Sequence, residues 1–316
     1  MNAKNLNKNK ETYFADEIDV HEFFQVLING KFFILLITFL VTAAAILYSF
    51  LLPNIYQSRA LLAPQESMGA MTSSAQKYSN LANLAGINFN SKLDSGNKTK
   101  AMKKVVSLSF FQNNILPKIY LPNLLAVDSF DLQSKTLIYD KNIYDKTSKK
   151  WVRDFKYPQK LIPSPQEGFK VFLDKHLVID EDQKTGFVTI AINHQSPFIA
   201  QKWTELIVIE LNEFFRKNDK EQAEKSIKYL NQQMVKSSFA EIRQVIAALI
   251  QQETQNLSLI EAKIEYVFAF IDPPVVMEEK DKPRRAIIIF IGFLFGSFFG
   301  CIIVLIRHYA VKKTII

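Results

Sequence analysis

FFILLITFLVTAAAILYSFLL, at residues 32–52, and AIIIFIGFLFGSFFGCIIVLI, at residues 286–306, are the stretches that decide the fold of this chain. Neither contains Asp, Glu, Lys or Arg. An α-helix rises about 1.5 Å per residue, so each stretch would reach about 31 Å, close to the thickness of about 30 Å of a bilayer's hydrocarbon core. The sequence therefore predicts two transmembrane helices with a large domain between them.

Two other interpretations of these stretches are weaker. A buried core helix is usually shorter than a run of this length without charge. A cleaved signal peptide would need small residues at its cleavage site, whereas the first stretch ends in the bulky residues Phe50, Leu51 and Leu52 before Pro53. We therefore expect both stretches to be retained as spans.

Charge around the two stretches indicates their orientation. Two spans place both termini on one side of the membrane, and short cytoplasmic flanks carry an excess of Lys and Arg. The terminal flanks hold Lys4, Lys8, Lys10, Lys31, Arg307, Lys312 and Lys313. Lys282, Arg284 and Arg285, on the other side of the second stretch, oppose this assignment. Because the terminal flanks are the short ones, we expect both termini in the cytoplasm.

The predicted organisation is membrane-anchored α+β, with two transmembrane helices flanking an α/β base that carries a long helical hairpin. The predicted parts are a cytoplasmic N-terminal segment (1–31), the first transmembrane helix (32–52), the base (53–197) with a mobile loop (65–100), the helical extension (198–265), a returning strand with a proline-bounded connector (266–285), the second transmembrane helix (286–306) and a cytoplasmic tail (307–316). Within the N-terminal segment, helical spacing of apolar residues from Val20 to Leu27 predicts a short amphipathic helix at the membrane interface.

Local patterns predict several elements of the base. Residues 56–62 have the composition of a strand, and Ser164 followed by Pro165 is typical of a helix start. Residues 176–180 and 187–193 alternate around a turn that ends in Gly186, where positive φ is needed. This alternation predicts a β-hairpin.

The helical extension contains no Gly or Pro from Phe198 to Asp272. A single helix of this length would extend about 110 Å and leave the chain far from the second span. The apolar spacing slips by five residues around Lys236-Ser237-Ser238. A slip of this kind favours a turn, so we predict a helical hairpin that reverses there.

Glycines of the second stretch form a stripe. Gly292, Gly296 and Gly300 recur every four residues and therefore share one helical face. A face without side chains allows another helix to approach closely. We predict a helix contact there, made either with the first span, which offers Ala43, Ala44 and Ala45, or with another subunit.

Motifs for catalysis or metal binding are weak. The chain has no glycine-rich phosphate loop and no Gly-x-Ser-x-Gly elbow. His176 and His194 bracket the predicted β-hairpin, and we interpret them as surface histidines at the end of a sheet. Asp180-Glu181-Asp182 lacks the alternating oxygen ligands of a calcium loop. The sequence predicts no catalytic residue, metal site or cofactor, and it leaves the paired carboxylates of a glycosidase open.

Cysteine content and charge limit the class further. Cys301 is the only cysteine, so neither an intrachain disulfide nor a thiolate metal cluster is expected. The net charge of +8 comes from isolated lysines rather than from a basic run interleaved with aromatic residues. Nucleic acid is therefore not an expected partner, whereas membrane lipid is.

Short motifs in a fixed order resemble those of the Wzz-type chain-length determinants, the first class of polysaccharide co-polymerases. They are Ile18-Asp19-Val20, Leu52-Pro53-x-x-Tyr56, Leu84-Ala85-Gly86-Ile87, Tyr144-Asp145, Trp151-Val152-Arg153, Pro163-Ser164, Lys184-Thr185-Gly186, His194-x-Ser196-Pro197-x-x-Ala200-x-x-Trp203, Tyr229-Leu230, Glu265-Tyr266-Val267-Phe268 and Lys282-Pro283-Arg284-Arg285. The prolines of the last segment, Pro273, Pro274 and Pro283, are sparser than in the family's usual pattern.

The resemblance implies an inner-membrane protein with a periplasmic middle domain and a ring-like homo-oligomer, often octameric. It also implies a non-enzymatic role in setting the length of O-antigen, capsule or exopolysaccharide made by a Wzy-type polymerase, with the polysaccharide chain as a further partner. Co-polymerases of the second class carry a cytoplasmic tyrosine kinase domain, and the short tail after the second span implies no such activity here.

Two rival functions remain open at this stage. A two-span periplasmic sensor or adaptor would pass its signal to a cytoplasmic partner such as a separate kinase. A membrane-anchored hydrolase would shorten the polymer directly. A pull-down that recovers a kinase, or polymer shortening by the purified chain, would favour one or the other.

Overall fold

The computed structural model describes residues 20–65 and 97–314. The chain divides into two compact units, Met1–Leu52 with Pro283–Ile316, and Pro53–Lys282. We call the first the helix-pair unit and the second the middle unit. Predictions for 66–96, including most of the mobile loop and the motif at Gly86, lie outside the described residues.

Helices and strands are both present. The helices are α1 (Val20–Asn29), α2 (Lys31–Leu51), α3 (Asn97–Val105), α4 (Leu108–Phe110), α5 (Leu121–Leu125), α6 (Pro165–Val171), α7 (Pro197–Lys236), α8 (Ala240–Ala262) and α9 (Arg285–Thr314). The strands are β1 (Tyr56–Pro64), β2 (Val127–Asp131), β3 (Thr136–Tyr139), β4 (Tyr144–Asp145), β5 (Lys150–Trp151), β6 (Leu177–Glu181), β7 (Val188–His194) and β8 (Phe268–Asp272). Single π-helical turns follow α4 and α6, at Phe111–Ile115 and Phe172–His176.

The helix-pair unit contains both apolar stretches. In the described part of the chain, Lys31–Leu51 and Arg285–His308 are the two helices long and apolar enough to cross a membrane by length and composition. Helix α9 continues beyond the predicted end at Ile306 to Thr314, because no Gly or Pro interrupts the sequence there. Helix α1 precedes α2 directly and packs against α9, with Val26 buried.

One antiparallel sheet of four strands organises the middle unit, in the order β6-β7-β1-β8. Strand β1 lies in the middle, where Tyr56 pairs with His194 and Leu62 with Val188 of β7. Alternate residues of β1 from Tyr56 to Leu62 are buried, as a strand with one covered face requires. The first half of α7 packs on this sheet and completes the core.

Helices α7 and α8 form an antiparallel hairpin. The chain leaves helical conformation after Lys236 and resumes at Ala240, the position at which the slip in apolar spacing places the reversal. Far from this turn, Lys220 Nζ lies 2.6 Å from Glu261 Oε1. Near it, Leu230, Ile246 and Leu249 form a small buried cluster.

Two boundaries in the middle unit differ from the predicted ones. The helices of the predicted extension begin at Pro197, but α7 belongs to the sheet's core as far as Phe215, and only its later half lies beyond that core. Helical spacing shows which face is apolar, but not which partner covers that face. The predicted loop at 65–100 also ends too late, since α3 begins at Asn97.

Candidate functional sites

The glycine stripe of α9 lies against α2, the first of the two apolar helices. All three glycines are buried. A Cβ atom added to Gly292 would lie 2.5 Å from Ala45 Cβ, and one added to Gly296 would lie 2.9 Å from Thr38 Cα. Real Cβ contacts are longer than this, so only glycine allows the observed separation of the two helices.

A fourth glycine extends this contact. A Cβ atom on Gly300 would lie 3.2 Å from Ile34 Cα, and one on Gly30 would collide with the side chain of Val304. The sequence analysis did not identify Gly30. Gly30 lies four residues before Ile34 and eight before Thr38, the residues that face Gly300 and Gly296. This helical spacing is the sequence signal that could have revealed it.

Replacing Gly296 by leucine is expected to separate α2 from α9, because the backbone of Thr38 cannot move aside as the end of a side chain can. The measurement is cross-linking, by a short bismaleimide reagent, of cysteines placed at Phe33 and Arg307 in a Cys301→Ser background, since the guanidinium carbon of Arg307 lies 5.7 Å from the centre of the Phe33 ring. We expect several-fold less cross-linked chain. Phe298→Leu, on the exposed face of α9, is the control, and equal yields for the two variants would contradict the prediction.

Both histidines are buried, His194 at the end of β7 and His176 in the π-helical turn before β6, which corrects the prediction of surface histidines. His176 is 6% exposed and His194 is 1% exposed. Their rings stack with centroids 5.6 Å apart, and Trp203 packs edge-on against both, at 5.8 and 5.2 Å. The prediction failed because residues 190–194 of β7 are all buried, so the alternation of a half-covered strand does not apply.

Backbone groups hold both imidazole rings. Ser196 N–H donates to His194 Nδ1 at 2.9 Å, and His194 Nε2 donates to the carbonyl of Asn123 at 2.9 Å, a pattern that fits only the neutral ring. His176 places Nδ1 2.7 Å from the carbonyl of Asn193 and Nε2 3.2 Å from that of Leu124. Burial lowers the pKa of His176, and it lowers the pKa of His194 to about 4.

The motif that runs from His194 to Trp203 therefore forms one structural junction. Tyr56 pairs with His194 across the sheet, and Trp203 covers the two histidines from α7. Ser196 caps α7 with its backbone only, since its side chain makes no capping hydrogen bond, and Pro197 is the first helical residue. These positions connect β1, β7 and α7 around a shared core.

The other motif positions lie apart from this junction. Trp151 faces Tyr144 across β4 and β5. Pro274 is buried, Pro273 is exposed and Pro283 is half-buried. Ser58 Oγ donates to the carbonyl of Val275 at 2.8 Å, which attaches the segment after Pro274 to β1.

Asn212 is a structural position that the sequence analysis did not identify. Its side chain is buried in α7, where Nδ2 donates to the carbonyl of Phe268 at 2.9 Å. Its Oδ1 accepts from Val267 N–H at 2.8 Å and Phe268 N–H at 2.9 Å. Asn212 thus attaches the start of β8 to α7. An amide among apolar neighbours on a helix face is the signal that could have revealed it.

Acidic and histidine side chains do not gather elsewhere. Among residues 20–65 and 97–314, no group of three or more His, Cys, Asp or Glu could hold a metal ion. Every ring nitrogen of His176 and His194 already faces a backbone group.

Comparisons with known proteins show what part of the chain is similar to. A family model described as chain length determinant protein, Wzz, matches residues 16–105. A full-length bacterial polysaccharide co-polymerase is similar in structure at 15% identity, over 94% of this chain and 99% of that chain, with a TM-score of 0.40. A fragment of WzzB, a polysaccharide co-polymerase from Salmonella Typhimurium, is 12% identical over 72% of this chain and 100% of that chain, with a TM-score of 0.29. A search of curated proteins finds no match. The resemblance inferred from the motifs is thus confirmed, with residues 16–105 matching the Wzz chain length determinant family.

Proposed function

We propose that this protein is a non-enzymatic regulator of polysaccharide chain length. The match of residues 16–105 to the chain length determinant model carries the proposal. The polymer would be O-antigen, capsule or exopolysaccharide, and a Wzy-type polymerase would extend it. The protein would limit this extension without making or breaking a glycosidic bond itself.

We further propose a bacterial inner-membrane location with both termini in the cytoplasm and the middle unit in the periplasm. The two helices long and apolar enough to cross a membrane support this placement. The short terminal flanks with their Lys and Arg residues support the orientation. Close packing of α2 on α9 would make the two spans act as one anchor.

We expect copies of the chain to assemble into an oligomer that serves as a scaffold for extension of the polymer. Large apolar side chains are exposed on the α7–α8 hairpin, at Tyr229, Val235 and Phe239. Val235 is 87% exposed, an exposure that contact with a second copy of the chain would remove. The oligomer would then present repeated middle units to the growing polymer and its polymerase.

Deleting the gene and separating the surface polysaccharide on a gel tests the function. We expect the modal length to be lost and the distribution to broaden, and the wild-type gene supplied in trans should restore it. An unchanged distribution would contradict the proposal. The mass of the detergent-solubilised chain provides a second readout, since the proposed scaffold requires a multiple of 36.4 kDa and a monomer would remove it.

A further inference from the structure

Three hairpin turns of the middle unit share one hydrogen-bonding pattern. In each, an Asp accepts a hydrogen bond from the backbone N–H two residues later and from a hydroxyl three residues later. The residue four positions after the Asp has positive φ. The Asp residues are Asp131, Asp145 and Asp182, and the residues of positive φ are Lys135 at 52°, Lys149 at 54° and Gly186 at 72°.

Two of these turns carry lysine where glycine fits better. Positive φ strains any residue with a Cβ atom, and Gly186 avoids that strain in the third turn. Lys135 and Lys149 instead hold a long cationic side chain at the strained position. The turn geometry does not require a cation, so retained strain at these positions points to a role for the charge.

The two lysine turns lie on consecutive hairpins, β2–β3 and β4–β5. Lys146, in the second turn, places Nζ 3.5 Å from the carbonyl of Leu137 in β3 and 5.8 Å from the centre of the Tyr139 ring. The second turn therefore lies beside the first hairpin, and both belong to one surface.

Aromatic rings accompany the lysines on this surface. Tyr144 is buried, and the rings of Tyr120, Tyr139 and Trp151 pack edge-on around it at 6.3, 5.6 and 5.3 Å. Tyr120 is half exposed, and Tyr139 and Trp151 are partly exposed. Partly exposed rings fixed by a buried neighbour offer flat apolar faces with polar edges, which suits the alternating faces and hydroxyls of sugar rings.

Positive charge is concentrated in this region. Residues 135–160 contain eight Lys and Arg but only three Asp. One of these, Asp145, accepts hydrogen bonds from Ser148 and Thr147 within the β4–β5 turn, and these bonds lower the pKa of its carboxyl. The wider segment 97–175 holds 15 Lys and Arg against 7 Asp and Glu, an excess that equals the net charge of the whole chain. The remainder of the chain is balanced, so an anionic partner would be drawn to this segment.

We propose that the surface formed by Lys135, Lys146, Lys149, Lys150, Tyr120 and Trp151 binds an acidic polysaccharide. The lysines pair with carboxylate or phosphate groups along the polymer, and the exposed rings support its sugar units. The choice of a polysaccharide rests on the proposed function, whereas the acidic character follows from the charge of the surface. This surface would then retain the growing polymer at the middle unit.

Binding of polygalacturonate to the detergent-solubilised full chain tests the proposal, with neutral dextran of matched length as the comparison. The test variant combines Lys146→Gln, Lys149→Gly and Lys150→Gln. We expect about tenfold weaker binding of polygalacturonate by the variant, and weaker binding by the wild type at high salt. Lys149→Gly alone should keep or raise the melting temperature, because glycine relieves the strain, so weaker binding by this single variant would not reflect unfolding.

Lys184→Gln is the matched control, since Lys184 belongs to the third turn, which carries glycine at the strained position. It should bind polygalacturonate like the wild type. Equal affinity of the triple variant and the wild type would overturn the proposal, as would binding to phosphatidylglycerol vesicles without binding to polygalacturonate. If gene deletion leaves polymer length unchanged while lysine-dependent binding persists, the proposed function fails and the binding site stands.

Discussion

Asn212→Ala is expected to lower the free energy of unfolding by about 3 kcal/mol or more, because it leaves three buried backbone groups without partners. These groups are the carbonyl of Phe268 and the N–H groups of Val267 and Phe268, at the start of β8. Water cannot replace the lost bonds where Phe268 is fully buried. Strand β8 would lose its attachment to α7 and keep only its pairing with β1.

The measurement is denaturant unfolding of the full chain in detergent, followed by the fluorescence of the buried Trp203. A Trp151→Phe background leaves Trp203 as the single tryptophan reporter. Asn218→Ala is the matched control, since Asn218 lies on the same helix, is exposed and bonds only to Asp219 in the described contacts. We expect the control to stay within about 0.5 kcal/mol of the parent. Equal losses for the two variants would show that the three hydrogen bonds do not stabilise the fold.

Acidification from pH 6.5 to pH 4 is expected to remove about 3 kcal/mol of stability through His194 alone. Burial lowers the pKa of His194 to about 4, below the ordinary value of 6.5. The unfolded chain therefore takes up a proton near pH 6.5, whereas the folded chain excludes it until about pH 4. The stabilisation is complete above pH 6.5 and is lost as the pH falls toward 4.

His176 adds a loss of the same sign. Burial lowers the pKa of its ring, and the positive charges of Lys175 and of a protonated His194 would oppose its protonation further. The carboxyl groups that stabilise turns, such as Asp182, also have a lowered pKa, and their contribution begins to fall near pH 5. The interval between pH 6.5 and about pH 5 therefore reports mainly on the histidine pair.

Unfolding of the wild type across this range checks the prediction, because its free energy should fall with a slope that corresponds to uptake of one to two protons. His194→Gln should flatten this slope, while His308→Gln, exposed at the end of α9, should leave it unchanged. A flat profile for the wild type would contradict the burial of neutral histidines at the end of β7.

Local patterns predicted much of the fold. The apolar stretches, the hairpin around Asp182–Gly186 and the reversal after Lys236 each depend on spacing within a continuous segment. The capping box of Ser164 and Glu167 likewise appears where Ser164-Pro165 predicts a helix start. The boundary between base and extension was harder to predict from sequence. Helix α7 continues without interruption while the partner of its apolar residues changes from the sheet to α8.

Candidate sites followed from sequence only in part. The stripe of Gly292, Gly296 and Gly300 is visible as a spacing, but a glycine face accepts any helix of complementary shape. Its partner therefore stayed open until α2 was seen against it, with Gly30 as an additional point of approach. The shared pattern of the three Asp turns was also hidden, because only their backbone angles reveal that lysine occupies a strained position in two of them.

By itself, the sequence determined the two apolar helices, the β6–β7 hairpin, where the long helix reverses and which face of α9 lacks side chains. These properties depend on the periods of about 3.6 and two residues, which are present in any continuous segment. Only the tertiary structure decided that His176 and His194 are buried, that Asn212 holds β8 and that α2 covers the glycine stripe. Each of these features depends on which helix or strand covers another. The residues involved lie far apart in the chain, and the spacing of residues within one segment does not show which other segment will pack against it.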